Sequence, residues 1–316
     1  MRTYLLTRLL IGLLTLVGMS LVIFVLMRIA PGDIVDMIFA SAGYVDPAAK
    51  AEITKEIGLD QPIAVQYGRW LRDLVQGDLG KSYRYDLPAW QVIRPRIPIS
   101  LELALLSMAV AVALGVPAGV LSAVRQDRSI DYLIRILSLA GLSMPSFWLG
   151  MVIILSLVWL LGWIPSLTYV SPLEDWKANL LQFLFPALAV GLRSSALIMR
   201  ITRSALLEVL REDYIRTAYA KGQREWVVIW RHALRNAFLP VLTLLGIEFA
   251  FLIGGLVVTE TVFNLPGVAR FLVEAILWRD YPVVQNLVMF IAIIVIGMNL
   301  AVDLLYGWLD PRVRHA

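Results

Sequence analysis

The chain contains no cysteine, although it has 316 residues. Disulfide bonds, thiolate metal sites and cysteine nucleophiles are therefore excluded. Histidine is almost absent as well: only His232 and His315 occur, and neither lies in an apolar run. Because the sequence also lacks Gly-x-Ser-x-Gly and His-Glu-x-x-His motifs, nothing in it supports a serine or zinc protease that works inside a membrane.

Charged residues are scarce, at 16% of the chain, whereas soluble domains carry about 25%. Hydrophobic residues make up 59%, and the mean hydropathy is +0.76. This composition is typical of a membrane protein, so we expect membrane lipid around the chain. The net charge is only +4, and the basic residues lie between apolar runs, which argues against a nucleic-acid partner.

Six apolar runs are long enough to cross a bilayer, which takes about 20 residues. They lie at residues 9–27, 99–124, 133–163, 180–199, 238–258 and 286–306. The first run exceeds the apolar core of a signal peptide, which has about 7–15 residues, so we expect residues 1–30 to form an uncleaved first transmembrane helix. The sequence predicts an all-α polytopic membrane protein with about six transmembrane helices.

Proline and glycine mark special positions inside these runs. Pro145 predicts a bend within the third run. Gly115 and Gly119 are four residues apart in the second run, a spacing that permits close helix approach. We expect the two glycines to serve helix packing rather than contact with a ligand.

A polar insert, residues 31–98, separates the first run from the second. Its turn residues predict one helix over 48–57 and another between Pro62 and Gly77. The second helix has one apolar face, which we expect to lie on the membrane or the spans; contact with a delivery protein is the alternative. The face is formed by Ile63, Tyr67, Trp70, Leu71 and Leu74. A second amphipathic helix is predicted at 268–277, outside the membrane.

The segment Gly77-Asp-Leu-Gly-Lys-Ser82 resembles the end of a phosphate-binding loop. That motif requires a glycine at position 75, where this chain has Val75, and a buried strand before it. We therefore predict that the chain binds no ATP and no other cofactor, and that it holds no metal.

The longest polar interval in the second half of the chain lies between the fourth and fifth runs. Its cations outnumber its acidic residues: Arg200, Arg203, Arg211, Arg216, Lys221, Arg224, Arg231 and Arg235 against Glu208, Glu212, Asp213 and Glu225. Because short cytoplasmic loops carry an excess of Lys and Arg, we expect this loop and both termini to be cytoplasmic, and the insert external.

Within this basic loop (residues 202–237) the pattern predicts two short helices hinged at Gly222. Asp213 is suited to cap the first helix, and Gly222 to end it in the left-handed conformation. Trp226, Ile229, Trp230 and Ala233 form one apolar stripe on the second. The pattern indicates a surface that docks a partner. The alternative is a solvated loop whose charge reflects only its cytoplasmic side.

The residues of the loop resemble those of a known family. Arg216-Thr217-Ala218, followed after three residues by Gly222, resembles the EAA-x-x-x-G loop of ABC-transporter permeases, with Arg216 in place of the usual Glu. The run from Asp213 to Gly222, and Arg-His-Ala-Leu-Arg-Asn after it, is similar to the dipeptide/oligopeptide/nickel branch of that family. The external Gly-Asp-Leu-Gly-x-Ser segment is similar to that branch as well.

This resemblance implies a type I ABC importer permease in the cell inner membrane, which is a transport subunit and not an enzyme. It implies a second homologous permease subunit, two cytoplasmic ATP-binding subunits that hold ATP and Mg, and an external solute-binding protein. Di- or oligopeptides are the expected cargo; nickel chelates, glutathione-like compounds and oligosaccharides are alternatives. An ATP-independent secondary transporter and a scaffold or receptor are the other classes.

The resemblance also assigns site residues within the permease core, residues 99–316. We expect the loop to contact an ATPase subunit through Arg216, Thr217, Ala218, Lys221, Gly222, Arg224, Trp226, Ile229 and Trp230. The two tryptophans and Ile229 have an alternative role, bracing the loop against its own spans. Arg193 and Glu248 are the deepest charges in the apolar runs; we expect them to pair with each other, or to line the transport pathway.

Overall fold

The computed structural model describes residues 2–29, 35, 47–56, 58–164, 166 and 168–309. Within those ranges the chain is helical, and one isolated bridge, between Lys81 and Pro88, is the only β pairing. The all-α prediction is therefore confirmed. The predicted end of the first helix at 30–33 and the basic tail at 310–314 lie outside the described residues.

The described residues form the α-helices α1 to α14. In chain order they are α1 (Arg2–Ile29), α2 (Pro47–Glu56), α3 (Ile63–Val75), α4 (Ala89–Ile93), α5 (Ile97–Val124), α6 (Ser129–Ser143), α7 (Ser146–Leu161), α8 (Trp176–Val209), α9 (Asp213–Ala220), α10 (Glu225–Val227), α11 (Leu234–Gly255), α12 (Val257–Val262), α13 (Val268–Leu277) and α14 (Tyr281–Leu309). A 3₁₀ turn at Arg94–Arg96 joins α4 to α5, and a π-helical turn at Val228–Ala233 joins α10 to α11.

Five helical stretches in the described ranges are long and apolar enough to cross a membrane. They are Leu6–Ile29, Ala89–Val124, Trp176–Val209, Glu225–Gly255 and Tyr281–Leu305. Helices α6 and α7 meet the same criterion together, but they are bent by 99°. If this bent pair is one span, the count is six, as predicted.

The bend between α6 and α7 follows from one proline. Pro145 and the residue before it, Met144, both have extended backbone angles, with ψ of 136° and 125°. A residue that precedes proline is driven out of the helical region by the proline ring. The bend predicted at Pro145 is therefore confirmed, and it breaks the run completely.

The described residues form two compact units, one from Met1–Ile99 with Gly267–Ile296 and one from Ser100–Pro266 with Gly297–Ala316. In the first unit α3 packs on α1. Tyr67 and Trp70 lie 5.2 Å and 5.7 Å from Phe24, measured between ring centroids, and the Tyr67 hydroxyl is 2.9 Å from Ser20 Oγ. Tyr67 and Trp70 of the apolar face thus lie on the first span, as predicted. Ile63, which belongs to the same face, is exposed.

The segment Gly77–Ser82 of the first unit is held by one buried carboxylate. Asp280 accepts hydrogen bonds from Ser82 Oγ at 2.5 Å and from the main-chain N–H groups of Tyr83 and Arg84 at 3.2 Å and 3.4 Å. Burial raises the pKa of Tyr83 to about 12, so its hydroxyl stays neutral beside this carboxylate. The arrangement fixes the segment to the start of α14.

In the second unit, α5 and α8 approach each other at three glycines. A Cβ added at Gly115 would lie 2.7 Å from the carbonyl oxygen of Ser195, and one at Gly119 would lie 2.6 Å from Thr202 Cβ. A Cβ at Gly191 would lie 2.7 Å from the carbonyl oxygen of Ser107. The packing role predicted for Gly115 and Gly119 is confirmed, and we call this contact the glycine seam.

We expect Gly119→Ala to lower the thermal unfolding midpoint of the detergent-purified chain. The added methyl must push α5 and α8 apart, and overpacking of this kind costs about 1–3 kcal/mol. Gly254→Ala is the matched control, because Gly254 lies in a helix and a Cβ there meets nothing within 4 Å. Equal midpoints for the two variants would show that the seam tolerates a side chain.

Candidate functional site

The turn of the basic loop is built as its sequence predicts at Gly222. Helix α9 ends at Ala220, and Gly222 follows with a φ of +73°, in the left-handed region. The N–H of Gly222 donates to the carbonyl of Tyr219 at 2.9 Å, and the N–H of Gln223 to that of Ala218 at 3.4 Å. These bonds close the helix end in the manner typical of a glycine C-terminus.

Two details of the loop differ from the sequence prediction. Asp213 does not cap α9: the helix already begins there, Glu212 holds the cap position without a side-chain bond, and the Asp213 carboxylate accepts from Arg216 at 3.1 Å. The second helix is not short and separate. From Glu225 it runs without a break into the fifth span and ends at Gly255, so the loop is continuous with that span.

One face of the loop is buried in the core of the second unit. Ile215 and Ala218 of α9 are in this core, as are Val228, Ile229 and Ala233 from the π-helical turn. They pack with residues of α5 and α8: Ala111, Val116, Val120, Ala123, Ile198, Ala205 and Leu206. Ala218 and Ile229 therefore brace the loop on its own spans. For Ile229 this is the alternative role stated above.

The opposite face of the loop is open to solvent. Arg216, Thr217, Lys221, Gly222 and Arg224 are exposed. The side chain of Arg216 is 74% exposed, and its pairing with Asp213 leaves it accessible. Burial raises the pKa of Tyr219, and Glu225 raises it further, so this part of the face carries a neutral phenol among cations.

The two tryptophans of the loop form an aromatic pair at its edge. The rings of Trp226 and Trp230 are 4.9 Å apart between centroids. Trp226 is 68% exposed, whereas Trp230 is half-buried and packs against the core. Both line a cavity of about 360 Å³ with Ile229, Leu121 and Arg125. An exposed tryptophan over an apolar cavity is typical of an interface anchor.

The two deep charges, Arg193 and Glu248, come to one small cavity. Glu248 is half-buried and its Oε2 accepts a hydrogen bond from Ser194 Oγ at 2.8 Å. Arg193 is exposed and lines the same cavity. Between these two described side chains no ion pair is formed, so the direct pairing expected from the sequence is absent from this structure.

A buried ion pair that the sequence analysis missed lies where α8 leads into the loop. Arg203 donates to both carboxylate oxygens of Asp131, at 2.9 Å and 2.8 Å. Ser122 Oγ and the N–H of Asp127 also donate to this carboxylate. The pair ties α8 to the first turn of α6. An acidic residue at the start of an apolar run was the available signal.

The described residues include no group of three or more His, Asp or Glu side chains placed to hold a metal ion. The candidate site has two parts. One is the basic loop, which packs on its own spans and is continuous with the fifth span. The other is the small cavity that Arg193 and Glu248 line. The apolar helices and this arrangement are those of a polytopic membrane protein.

Comparison with known families agrees with this class. Residues 115–315 match the model described as "Binding-protein-dependent transport system inner membrane component". Residues 1–104 match its N-terminal counterpart. The chain belongs to this family of ABC importer permeases, and is a multi-pass inner membrane transport subunit.

Curated relatives cover the whole chain. The dipeptide transport system permease protein DppB of Alkalihalophilus pseudofirmus is 38% identical, over 100% of both chains. The di/tripeptide transport system permease protein DppB of Pseudomonas aeruginosa is 41% identical, over 96% of this chain and 97% of its own length. The dipeptide transport system permease protein DppB of Escherichia coli is 40% identical, over 100% of this chain and 99% of its own.

Solved structures support the fold. A chain of the MetNI methionine ABC transporter, in inward facing conformations, superimposes with a TM-score of 0.58. The match covers 71% of this chain and 98% of that chain, at 18% sequence identity. At this identity the likeness concerns the fold alone, and it confirms the architecture of an ABC importer permease.

Proposed function

We propose that this chain carries di- or oligopeptides across the inner membrane, paired with a second homologous permease subunit. Two cytoplasmic ATP-binding subunits hold ATP and Mg and supply the energy, and an external solute-binding protein delivers the cargo. The chain itself binds no cofactor. The peptide and dipeptide names of its full-length relatives support this cargo.

The basic loop is the docking surface for an ATPase subunit. The observation that carries this proposal is its division into two faces: Ile215, Ala218 and Ile229 are buried in the core, while Arg216 and Trp226 are exposed. A solvated loop needs no such bracing. Exposed arginine and tryptophan are the residue types that dominate the binding energy of protein interfaces.

The join between loop and spans gives the loop a mechanical role. The helix that starts at Glu225 continues through the π-helical turn into α11 without a break. When the ATPases close on ATP, a docked loop moves with them, and α11 tilts as its extension. ATP acts here only through its different affinity for the open and closed ATPase arrangements.

The orientation follows from the same surface. The basic loop and both termini are cytoplasmic, and the insert between the first two spans is external. Short basic loops set topology, whereas long ones count for little. We expect an added protease to leave the loop intact in sealed right-side-out vesicles. In inverted vesicles we expect the protease to cleave it.

We expect Trp226→Ala to weaken binding of the ATPase subunits to the purified permease pair by about thirtyfold, because an interface tryptophan is commonly worth about 2 kcal/mol or more. The affinity is measured by titrating labelled ATPase subunits onto permeases in nanodiscs. Trp176→Ala is the matched control: Trp176 is 62% exposed, close to the 68% of Trp226, but lies outside the loop.

Equal affinities for the two tryptophan variants would contradict docking at this face. A separate measurement addresses the alternative classes. Proteoliposomes that contain the permeases and the ATPases are expected to accumulate dipeptide only when the binding protein and ATP are present. Uptake without the ATPase subunits would instead identify a secondary transporter.

A further inference from the structure

A cavity of about 80 Å³ lies within the second unit, where the middle of α8 meets the start of α7 and the end of α11. Its polar lining comes from Ser146 at the start of α7, Arg193 and Ser194 of α8, Glu248 of α11 and Thr259 of α12. The remaining lining is apolar and consists of Val190, Phe251, Leu252, Gly255 and Leu256. Opposite charges thus face one small space whose lining is part polar and part apolar.

Charged side chains within an apolar span, such as Arg193 and Glu248, are energetically costly. A charged side chain at the centre of a span costs about 2.5–3.5 kcal/mol on the insertion scale, and such residues face protein or a water-filled pathway. Arg193 lies midway along Trp176–Val209. It remains exposed although Glu248 lines the same cavity. A purely structural pair would be closed on itself, and this one is not.

We propose that the cavity binds the charged end groups of a zwitterionic cargo, with the carboxylate at Arg193 and the ammonium at Glu248. This inference rests on the proposed function and names the part of the cargo that is recognised. Arginine binds a carboxylate through two parallel N–H bonds. Ser194, which donates to Glu248 at 2.8 Å, holds that carboxylate in place for the ammonium.

The break between α6 and α7 strengthens the cationic side of the cavity. Ser146 is the first residue of α7, and the first N–H groups of a helix have no partner within it. Interrupted spans in transporters commonly direct such helix starts at anionic groups of the cargo. The main determinant remains Arg193, because a full charge outweighs the partial charge of a helix end.

The size of the cavity sets what it recognises. A space of about 80 Å³ is small for a whole peptide, so the carboxylate and ammonium end groups fill it while the side chains stay outside. If only the end groups of the peptide are recognised, its side chains make no specific contact with the cavity. The cavity therefore suits a permease that passes many peptides of different sequence and rejects neutral solutes of the same size.

The test uses the complete importer in proteoliposomes, with its external binding protein and radiolabelled dialanine as the probe. The quantity measured is dialanine taken up per ATP hydrolysed. We expect Arg193→Gln and Glu248→Gln each to lower this ratio by about tenfold or more, the range for loss of one partner in a desolvated charge contact. Arg193→Lys, which keeps the charge but loses the paired N–H bonds, is expected to recover part of the loss.

The double variant Arg193→Gln with Glu248→Gln separates cargo binding from structure. If the charges serve the cargo, the double variant transports no better than either single one. If they serve only each other, removing both restores the ratio and overturns the proposal. Arg200→Gln and Glu174→Gln, which neutralise exposed charges elsewhere, are the matched controls and are expected to match the wild type.

Two results keep this inference separate from the proposed function. A wild-type importer that hydrolyses ATP but moves no dialanine would refute the peptide function itself. A wild-type importer that transports dialanine, with neutral variants that transport equally well, would refute only the zwitterion site. A lysine variant no better than the glutamine variant would also refute it, because charge would then not matter.

Discussion

Replacing Gly222 with valine is expected to abolish ATP-driven uptake by the reconstituted importer while the chain still enters the membrane. Gly222 has a φ of +73°, and for a β-branched residue a positive φ is a true outlier. A Cβ there meets nothing within 4 Å, so the effect is conformational rather than a clash. The turn must open, and this changes the orientation of the exposed face of α9 relative to Trp226.

Two further variants make this result specific. Gly222→Asn is expected to retain much of the uptake, because asparagine tolerates the left-handed region better than other residues with side chains. Gly162→Val is the matched control: Gly162 also has a positive φ, +61°, in an open position, but it ends α7. Normal uptake by Gly222→Val, or equal loss in Gly162→Val, would contradict a docking role for the turn.

Replacing Asp131 with alanine is expected to cause the largest loss of stability of any single change considered. Its carboxylate is fully buried and takes two hydrogen bonds from Arg203, whose side chain is 20% exposed. Removing one partner of a buried pair leaves an uncompensated charge and costs about 3–5 kcal/mol. The yield of folded chain from membranes and its thermal unfolding midpoint are the measurements.

The matched comparison is Asp213→Ala, which removes the partner of Arg216 from a pair whose side chains are 74% and 95% exposed. Exposed pairs contribute about 0–1 kcal/mol, so this midpoint should barely move. The double variant Asp131→Met with Arg203→Met is expected to regain most of the stability, because well-packed apolar residues often replace a buried pair without loss. If Asp131→Ala proved as stable as Asp213→Ala, the pair would not tie α8 in place.

Local patterns predict the parts of this fold that depend on local chemistry. The apolar runs mark the spans because a helix that crosses the hydrocarbon core of a bilayer needs about 20 mostly apolar residues. Pro145 marks the bend, since its ring excludes the helical conformation of Met144. Gly222 marks the turn, and Gly115 with Gly119 marks a close helix contact, because both roles depend on the missing side chain.

Other features depend on which helices meet, and no local pattern specifies that. Ser82 and Asp280 are 198 positions apart, so no spacing rule connects them. Glu248 accepts a hydrogen bond from Ser194 and does not pair with Arg193, the residue that precedes Ser194 on α8. Which of these two side chains reaches Glu248 depends on how α8 is rotated about its axis. The loop helix passes through Pro240 into the fifth span, although proline removes one hydrogen bond of the helix.

The glycine seam has a consequence for how strain travels through the second unit. At Gly115, Gly119 and Gly191 the main chains of α5 and α8 are in contact with no intervening layer of side chains. Side-chain layers can shear by rotamer changes, whereas touching backbones cannot. The two helices are therefore expected to move together as one rigid unit. Spin labels placed on α5 and α8 should keep a constant separation through the transport cycle, even as each label changes its distance to α11.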